Sequence, residues 1–280
     1  MSEPLPTQRL ACRRLVLSMS DSPDLQRLGL TDTHIRLVLG EVARAVLIAG
    51  GTLAYGGDLR IGGFTEYLMS EVQRYGPLDY PALLIALAWQ NHREMTLSDL
   101  DEKRRYLEDF ADIVFLDPHG NEVEPEEGRG NDLAAVDDGD RAPALSAMRR
   151  FLESKADARL AIGGKREGFQ GRVPGLMEEL LFALEGDNPL YLAGGFGGAT
   201  MDVARLLGAG DTAWFPPLPP PADSRYAEGL AQISDVTGRA GWSLPDNGLD
   251  TEQNDRLIAT PRPSEIASLV TLGLHRRLGP

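Results

Sequence analysis

Short apolar runs alternate along the chain with longer segments in which apolar residues recur every three or four positions. The short runs are not interrupted by polar residues, as expected for strands that are covered on both faces. Six runs of this kind predict strands at Leu15–Ser18, Leu53–Tyr55, Leu83–Trp89, Ile113–Leu116, Leu160–Ile162 and Leu190–Ala193.

The segments between the predicted strands have the period of amphipathic helices. Strand and helix that alternate in this way indicate βα units, whose right-handed crossovers require a parallel sheet between layers of helices. Six strands suit an open sheet better than an eight-stranded barrel. The sequence therefore predicts an α/β fold, an open parallel sheet flanked by helices at residues 33–50, 64–76, 100–111, 144–155, 175–186 and 201–210.

Two segments break this alternation. Residues 117–143 are acidic, rich in glycine and without periodicity, which indicates a long insertion, either a solvated loop or a lid over a site. Residues 215–224 are rich in proline and predict a stiff connector.

Helical periodicity resumes after the connector, and Ser264 is the predicted N-cap of the last helix. We therefore expect a main domain at residues 1–214 and a C-terminal helical extension, with its connector, at residues 215–280. The pattern leaves open whether this extension packs on the sheet or mediates self-association.

The chain carries a net charge of −14, from 42 acidic and 28 basic residues, so DNA or RNA would be repelled. A small phosphorylated ligand needs only a few local donors. No run reaches the roughly 18 apolar residues of a membrane span. The single cysteine, Cys12, excludes an intrachain disulfide and a cysteine-based zinc site, and the four histidines lack ligand spacing. We therefore predict a cytoplasmic protein that uses no metal or other cofactor and binds neither a nucleic-acid polymer nor a membrane.

Glycine pairs follow three of the six predicted strands. The carboxyl ends of parallel strands meet at one edge of the sheet, where ligands bind. Glycine at that edge lets a ligand approach backbone N–H groups, although it can also serve only to turn the chain. Three pairs at equivalent positions favour a shared floor for a small ligand, and they are Gly56-Gly57, Gly163-Gly164 and Gly194-Gly195.

Further candidates lie beside these glycines. Ser18 and Ser20, at the end of the first strand, offer hydroxyls for a phosphate or a ribose. Asp58 follows the first glycine pair. Phe196 and Gly197 follow the last pair, and Phe196 is interpreted either as a core residue or as a platform for a base.

The connection between the fifth strand and the next helix carries the most chemistry. Lys165 supplies positive charge for a phosphate, and Phe169 offers a face for a base. Pro174 suits a helix start, and Gly175 permits close approach. Glu178 and Glu179 are candidates to accept hydrogen bonds from ribose hydroxyls. Adjacent helical residues point about 100° apart, so we expect one of the two glutamates to face the site.

Familiar nucleotide and hydrolase signatures are absent. The chain has no G-x-x-x-x-G-K-[ST] and no G-x-S-x-G motif. The segment GGFGGAT follows the last predicted strand instead of the first, which differs from the NAD fingerprint.

Several segments together resemble the SLOG superfamily, namely LVLSMS, LAYGGDLRIGGFTEYL, ALSAMRR, RLAIGGK, GRVPGLMEE and LYLAGGFGG. The resemblance implies a Rossmann-like fold that binds nucleotides or nucleotide-derived signals such as ADP-ribose variants, as in the sensors of TRPM channels and antiphage effectors. GLMEE is similar to the end of a motif of the LOG phosphoribohydrolases, which places Glu179 on the motif glutamate and Gly175 on a motif glycine. Arg149 falls where these proteins carry a phosphate-binding arginine.

Two functions are consistent with these residues. The first is a sensor that holds a nucleotide, for example an ADP-ribose-like or cyclic nucleotide, and signals through a homo-oligomer or a partner effector protein. The alternative is an N-glycosidic hydrolase in which Glu179, or Glu178, is catalytic beside a bound ribose. A structural protein with an empty pocket is a third interpretation. Glu179 is preferred over Glu178 on the motif resemblance.

Overall fold

The structure, a computed structural model, describes residues 9–57, 59, 62–127, 138–209, 212–239 and 244–279, with residues 138–140 described by their backbone only. Asp58, a predicted ligand-binding residue, lies outside the described residues, as does the middle of the predicted insertion.

Six parallel strands form one open sheet, which confirms the predicted fold class. The order across the sheet is β4-β3-β2-β1-β5-β6. Successive strands extend the sheet in one direction as far as β4, and β5 then returns to the other side of β1. The strand order therefore reverses between β1 and β5. The strands are β1 Arg14–Ser20, β2 Thr52–Tyr55, β3 Leu83–Leu87, β4 Ala111–Phe115, β5 Ala158–Gly163 and β6 Leu190–Ala193.

Ten α-helices flank the sheet in the described part of the chain, and two short 3₁₀ turns, at Gln26–Leu28 and Gly194–Phe196, accompany them. The helices are α1 Asp32–Ile48, α2 Phe64–Tyr75, α3 Trp89–Arg93, α4 Leu97–Leu107, α5 Asp138–Ser154, α6 Gly175–Glu185, α7 Gly198–Leu206, α8 Ser224–Thr237, α9 Thr251–Ala259 and α10 Pro263–Leu278.

Alternate residues of the strands are buried on opposite faces of the sheet. Leu15 and Leu17 of β1 share a core with α1 and α10, whereas Val16, between them, lies in the core under α5. Ala161 of β5 belongs to a further core, formed with α6, α7 and α8. This two-sided burial is why the strands appear in the sequence as uninterrupted apolar runs.

The C-terminal helices pack into the same body as the sheet. Buried residues of α10, among them Ile266 and Val270, join the core with α1, and Tyr226 and Ile233 of α8 join the core with α6. These two cores therefore continue across the boundary that was predicted after residue 214, whereas the core under α5 does not.

Two local predictions were wrong. The third strand ends at Leu87, and Trp89 begins the short helix α3. Ser264 does not cap α10: the helix begins at Pro263, with Arg262 at the N-cap and no capping side chain. Proline suits the first helical position because its missing N–H would have no intrahelical partner there.

Candidate functional site

The carboxyl ends of β1 and β5 meet where the strand order reverses, which is where open α/β sheets bind ligands. Gly163 and Gly164 have φ values of +68° and +111°, which a residue with a Cβ rarely adopts. The turn they make brings the Lys165 N–H within 3.2 Å of the Ser20 hydroxyl, to which it donates. Ser20, Gly163, Gly164 and Lys165, all predicted site residues, are thus brought together.

A crevice of about 620 Å³ opens beside this turn. One wall is the loop after β1, with Asp21 and Ser22, and a second is the loop after β5, with Lys165 and Gly168. The connector contributes the third, largely apolar wall, Leu218–Ala222. We refer to this space as the proline crevice.

Lys165 is the cation available to a ligand in the proline crevice. Its ammonium has no hydrogen-bond or ion-pair partner among the described residues, and the side chain is exposed. The neighbouring Arg166 is buried, and its Nε lies 2.7 Å from Asp202 Oδ2. Burial is the largest single influence and lowers the pKa of Arg166, but the hydrogen bonds and charges of Asp202 and Tyr226 together outweigh it and leave the pKa raised. Arg166 is thus a neutralised cation in the wall.

The third glycine pair is filled by the protein itself. A Cβ on Gly195 would overlap the backbone of Thr260, and one on Gly194 would lie 2.8 Å from the Ile258 carbonyl oxygen. Phe196 is fully buried in the core. These glycines allow α9 to pack closely on β6, and a ligand has no room beside them.

The N-terminus of α7 is likewise occupied by a side chain. The Gly198 N–H donates to Asp24 Oδ2 at 2.7 Å, and an added Cβ on Gly197 would overlap the same carboxylate. Asp24 is buried, and its other oxygen accepts a hydrogen bond from Arg27 at 2.7 Å. The place where a phosphate would sit on this helix is therefore taken by a carboxylate of the chain.

The glycines after β2 also serve packing. A Cβ on Gly56 would lie 2.6 Å from Leu152 of α5, and one on Gly57 would meet the ring of Tyr55. None of the three glycine pairs that were expected to form one floor lines the proline crevice, and Gly163-Gly164 is the pair that directly precedes a lining residue, Lys165. An added Cβ on Gly164 would lie 2.7 Å from the Ala199 Cβ, so this pair also serves packing.

Arg149 lies in a buried ionic cluster between α5 and α6. Its guanidinium ion-pairs with Glu178, whose other oxygen accepts a hydrogen bond from the Ser146 hydroxyl at 2.5 Å. A Cβ on Gly171 would lie 3.1 Å from Arg149 Nη1, and one on Gly175 would overlap the guanidinium. The close approach that Gly175 permits is therefore that of Arg149, at the N-terminus of α6.

Sequence reasoning missed Arg159, on β5, which is fully buried. Its guanidinium donates to Ser18 Oγ at 2.6 Å and to Glu179 Oε2 at 3.3 Å. It also donates to Glu153 at 2.8 Å. Ser18 and Glu179 are thus partners of a buried arginine and are not in the lining of the proline crevice. The available signal was an arginine within an otherwise apolar strand.

A second cavity, of about 740 Å³, lies between α5, α6 and α8, and we refer to it as the α5–α6 cavity. Glu178 lines it, together with Ser146 and Phe182. The structure thus places Glu178, and not the preferred Glu179, at a cavity. Arg172 lines the same cavity and has no partner among the described residues. No described residue lines both this cavity and the proline crevice.

Residues 164–174 connect the two spaces, and α8 holds this loop in place. Arg225, at the start of α8, donates to the Gly171 carbonyl at 3.0 Å and lies 4.5 Å from the centre of the Phe169 ring. Phe169 therefore stacks on a cation of the protein. Pro174 is buried and forms the N-cap of α6, one position before the helix start that was expected for it.

The described residues contain neither a membrane-spanning helix nor a metal-binding cluster. No helix there is long and apolar enough to cross a membrane. No group of three or more His, Cys, Asp or Glu side chains in the described ranges is arranged to hold a metal ion.

Comparison with known proteins adds one result to this geometry. A search of curated proteins finds no match to the chain. The sequence model of one family, described as SLOG cluster2, matches residues 9–257, which include all six strands, the helices α1 to α8 and most of α9. That extent agrees with the Rossmann-like sheet and confirms the resemblance seen in the sequence. The chain belongs to the SLOG cluster2 family.

Proposed function

We propose that the protein binds a nucleotide or a nucleotide-derived signal in the proline crevice. The observation that carries this proposal is the position of the crevice at the strand-order reversal, with the unpaired Lys165 beside it. Family membership supports a nucleotide-related domain of Rossmann type.

The crevice offers a contact for each part of such a ligand. Lys165 can donate a hydrogen bond to a phosphate, and the exposed Asp21 in the same lining can accept one from a ribose hydroxyl. Ser22 also lines the crevice, and its Oγ accepts a hydrogen bond from the Asp24 N–H at 3.2 Å. The apolar wall of Pro219–Pro221 suits a flat base. Gly168 leaves space at its Cα, since an added Cβ would meet no atom within 4 Å.

Binding without turnover is the function that the carboxylates favour. Glu178 is engaged by Arg149 and Ser146, and Glu179 by Arg159. A carboxylate held in this way keeps few lone pairs for a water molecule or a ribose carbon. We therefore propose a sensor whose output passes through a homo-oligomer or a separately encoded effector in the cytoplasm; an antiphage role stays a prediction from the resemblance.

The test combines thermal shift with base release. The purified chain is incubated with AMP, NAD, ADP-ribose and cyclic nucleotides, and free base is measured by chromatography. A ligand at a hundred times its Kd stabilises the folded state by about 2.7 kcal/mol. Stabilisation without free base supports the sensor. If none of these nucleotides shifts the melting temperature, the proposal fails.

Lys165→Ala tests the phosphate contact. The substitution removes the unpaired ammonium, so affinity for a phosphorylated ligand should fall about tenfold, whereas the matching nucleoside should be affected little; hydrogen bonds to charged groups are worth about 1.5–3 kcal/mol. Lys155→Ala is the matched control, because Lys155 lies 3.5 Å from Glu122 and lines neither the proline crevice nor the α5–α6 cavity. Equal losses for nucleotide and nucleoside would remove Lys165 from this role.

N-glycosidic hydrolysis is the second candidate, favoured by the position of Glu178 in the lining of the α5–α6 cavity. The unpaired Arg172 in the same cavity would hold a phosphate there. In this case the wild-type protein releases free base. Glu178→Gln abolishes this release, whereas Lys165→Ala leaves it unchanged. Release that persists in Glu178→Gln would exclude the glutamate as the catalytic group.

A further inference from the structure

The proline crevice offers a ligand one available cation and two unpaired carboxylates among its described lining residues. Lys165 is opposed by Asp21 and Glu167, two exposed carboxylates in the same lining. Neither carboxylate has an ion-pair partner among the described residues. The remaining cation, Arg166, is neutralised by Asp202. The side chains that a ligand would meet thus provide one available positive charge.

The N-termini of the neighbouring helices add no free donors for a diphosphate. Nucleotide-binding sheets usually place a diphosphate on free N–H groups at a helix N-terminus. Here the first turn of α7 is capped by the buried Asp24, and the start of α6 is covered by the guanidinium of Arg149. Both helix ends that open towards β5 and β6 are therefore filled by the protein's own charged groups.

From these two observations, and resting on the function proposed above, we infer that the proline crevice selects nucleotides with a single negative charge. A phosphodiester such as a cyclic mononucleotide fits this description, because one Lys165 balances its one charge. A second or third phosphate charge would lie close to Asp21 and Glu167 without a second available cation among the described lining residues. ADP-ribose and nucleoside diphosphates are thus disfavoured.

The effect of each carboxylate is moderate, because both are exposed and screened by salt. Exposed charge pairs change an equilibrium about two- to fivefold. Two carboxylates acting together should therefore weaken the binding of a diphosphate about tenfold relative to a cyclic monophosphate of the same base.

The experiment measures dissociation constants for the full chain by titration calorimetry at low salt. For each of the four common bases, the 3′,5′-cyclic monophosphate is compared with the nucleoside diphosphate, and ADP-ribose is added for adenine. The same series is repeated with Asp21→Asn and Glu167→Gln together. Glu126→Gln, an exposed carboxylate outside the crevice, is the matched control.

We expect the cyclic monophosphate to bind about tenfold more tightly than the diphosphate, and the double variant to reduce that ratio to about twofold. A diphosphate or ADP-ribose that binds as tightly as the cyclic form would overturn the inference and leave the proposed function standing. A ratio unchanged in the double variant would also overturn it. If no nucleotide of either kind binds, the proposed function itself fails, and the inference falls with it.

Discussion

Replacement of Arg159 by methionine tests the buried ionic cluster around this residue, which the sequence analysis did not predict. Methionine keeps the length and apolar stem of the side chain, so packing changes little, but the guanidinium is removed. Three groups then lose a donor: Ser18, Glu179 and Glu153. Arg159 is fully buried, and the side chains of both glutamates are no more than 15% exposed, so water cannot replace the lost contacts.

The expected loss follows from that burial. Breaking a buried ion pair by removing one partner costs about 3–5 kcal/mol, because a charge is left uncompensated. For a chain of this size, such a loss corresponds to a fall of about 6–20 °C in melting temperature. Urea denaturation of Arg159→Met measures it directly. The control is Arg105→Met, whose side chain is 78% exposed and lies 3.9 Å from Asp101, and which should cost at most about 0.5 kcal/mol.

A double-mutant cycle separates charge from packing. In Arg159→Met with Glu179→Gln, a carboxylate that keeps only the Arg149 Nε, at 3.6 Å, as its partner becomes a neutral amide, so part of the lost stability should return. We expect a coupling of about 1–3 kcal/mol between the two positions. If Arg159→Met costs no more than the Arg105 control, the cluster does not stabilise the fold in the way its geometry indicates. A coupling of zero would assign the whole loss to packing.

Two further predictions concern packing and alkaline stability. Gly195→Ala should destabilise the fold by at least about 2 kcal/mol in urea denaturation, because the added Cβ would overlap the backbone of Thr260. The control is Gly208→Ala, which is strained only by its φ of +61° and should cost about 1 kcal/mol. Equal losses in the two variants would show that α9 moves to accommodate the added methyl group. Burial raises the pKa of both Tyr191 and Tyr226 well above the ordinary value of 10.0. The unfolded chain therefore releases their protons first as the pH rises, and the free energy of unfolding should fall above about pH 10. In the variant with both Tyr191→Phe and Tyr226→Phe, denaturation at a series of pH values should show a smaller fall. An unchanged slope of the free energy of unfolding against pH would contradict this assignment.

The sheet was predictable because buried parallel strands are continuous apolar runs, and all six were found in this way. Helix α9 was not predicted, because only Leu257 and Ile258 of its nine residues are buried and its segment lacks an apolar stripe. Trp89 was assigned to a strand because it extends the apolar run of β3. In the structure this residue instead begins α3, and its ring stacks under Arg93 at 3.7 Å.

The glycine pairs show what the local sequence cannot predict, namely which group packs against each glycine. A glycine at the end of a strand permits close approach, but the sequence around it does not say of what. At Gly163 the approaching group is the Ser20 carbonyl oxygen, at 2.5 Å from an added Cβ, on a neighbouring strand more than a hundred residues away. At Gly195 it is the backbone of Thr260, which belongs to the C-terminal extension. Only tertiary contacts decide which glycine borders a crevice and which is filled.

The same contacts make the C-terminal extension part of the candidate site. The connector forms one wall of the proline crevice, and Glu228 and Gln232 of α8 line the α5–α6 cavity. Two residues at the start of α8 fix the loop that carries Lys165 and Arg172. Arg225 donates to the Gly171 carbonyl. Tyr226 donates to Asp202, which also accepts a hydrogen bond from Arg166. Helix α8 holds the loop and borders the α5–α6 cavity, and the connector that leads into α8 borders the proline crevice. A ligand that displaces the loop in either space would therefore strain these hydrogen bonds. If the proposed ligand displaces this loop, we expect the displacement to reach α8 through Gly171, Asp202 and Arg166.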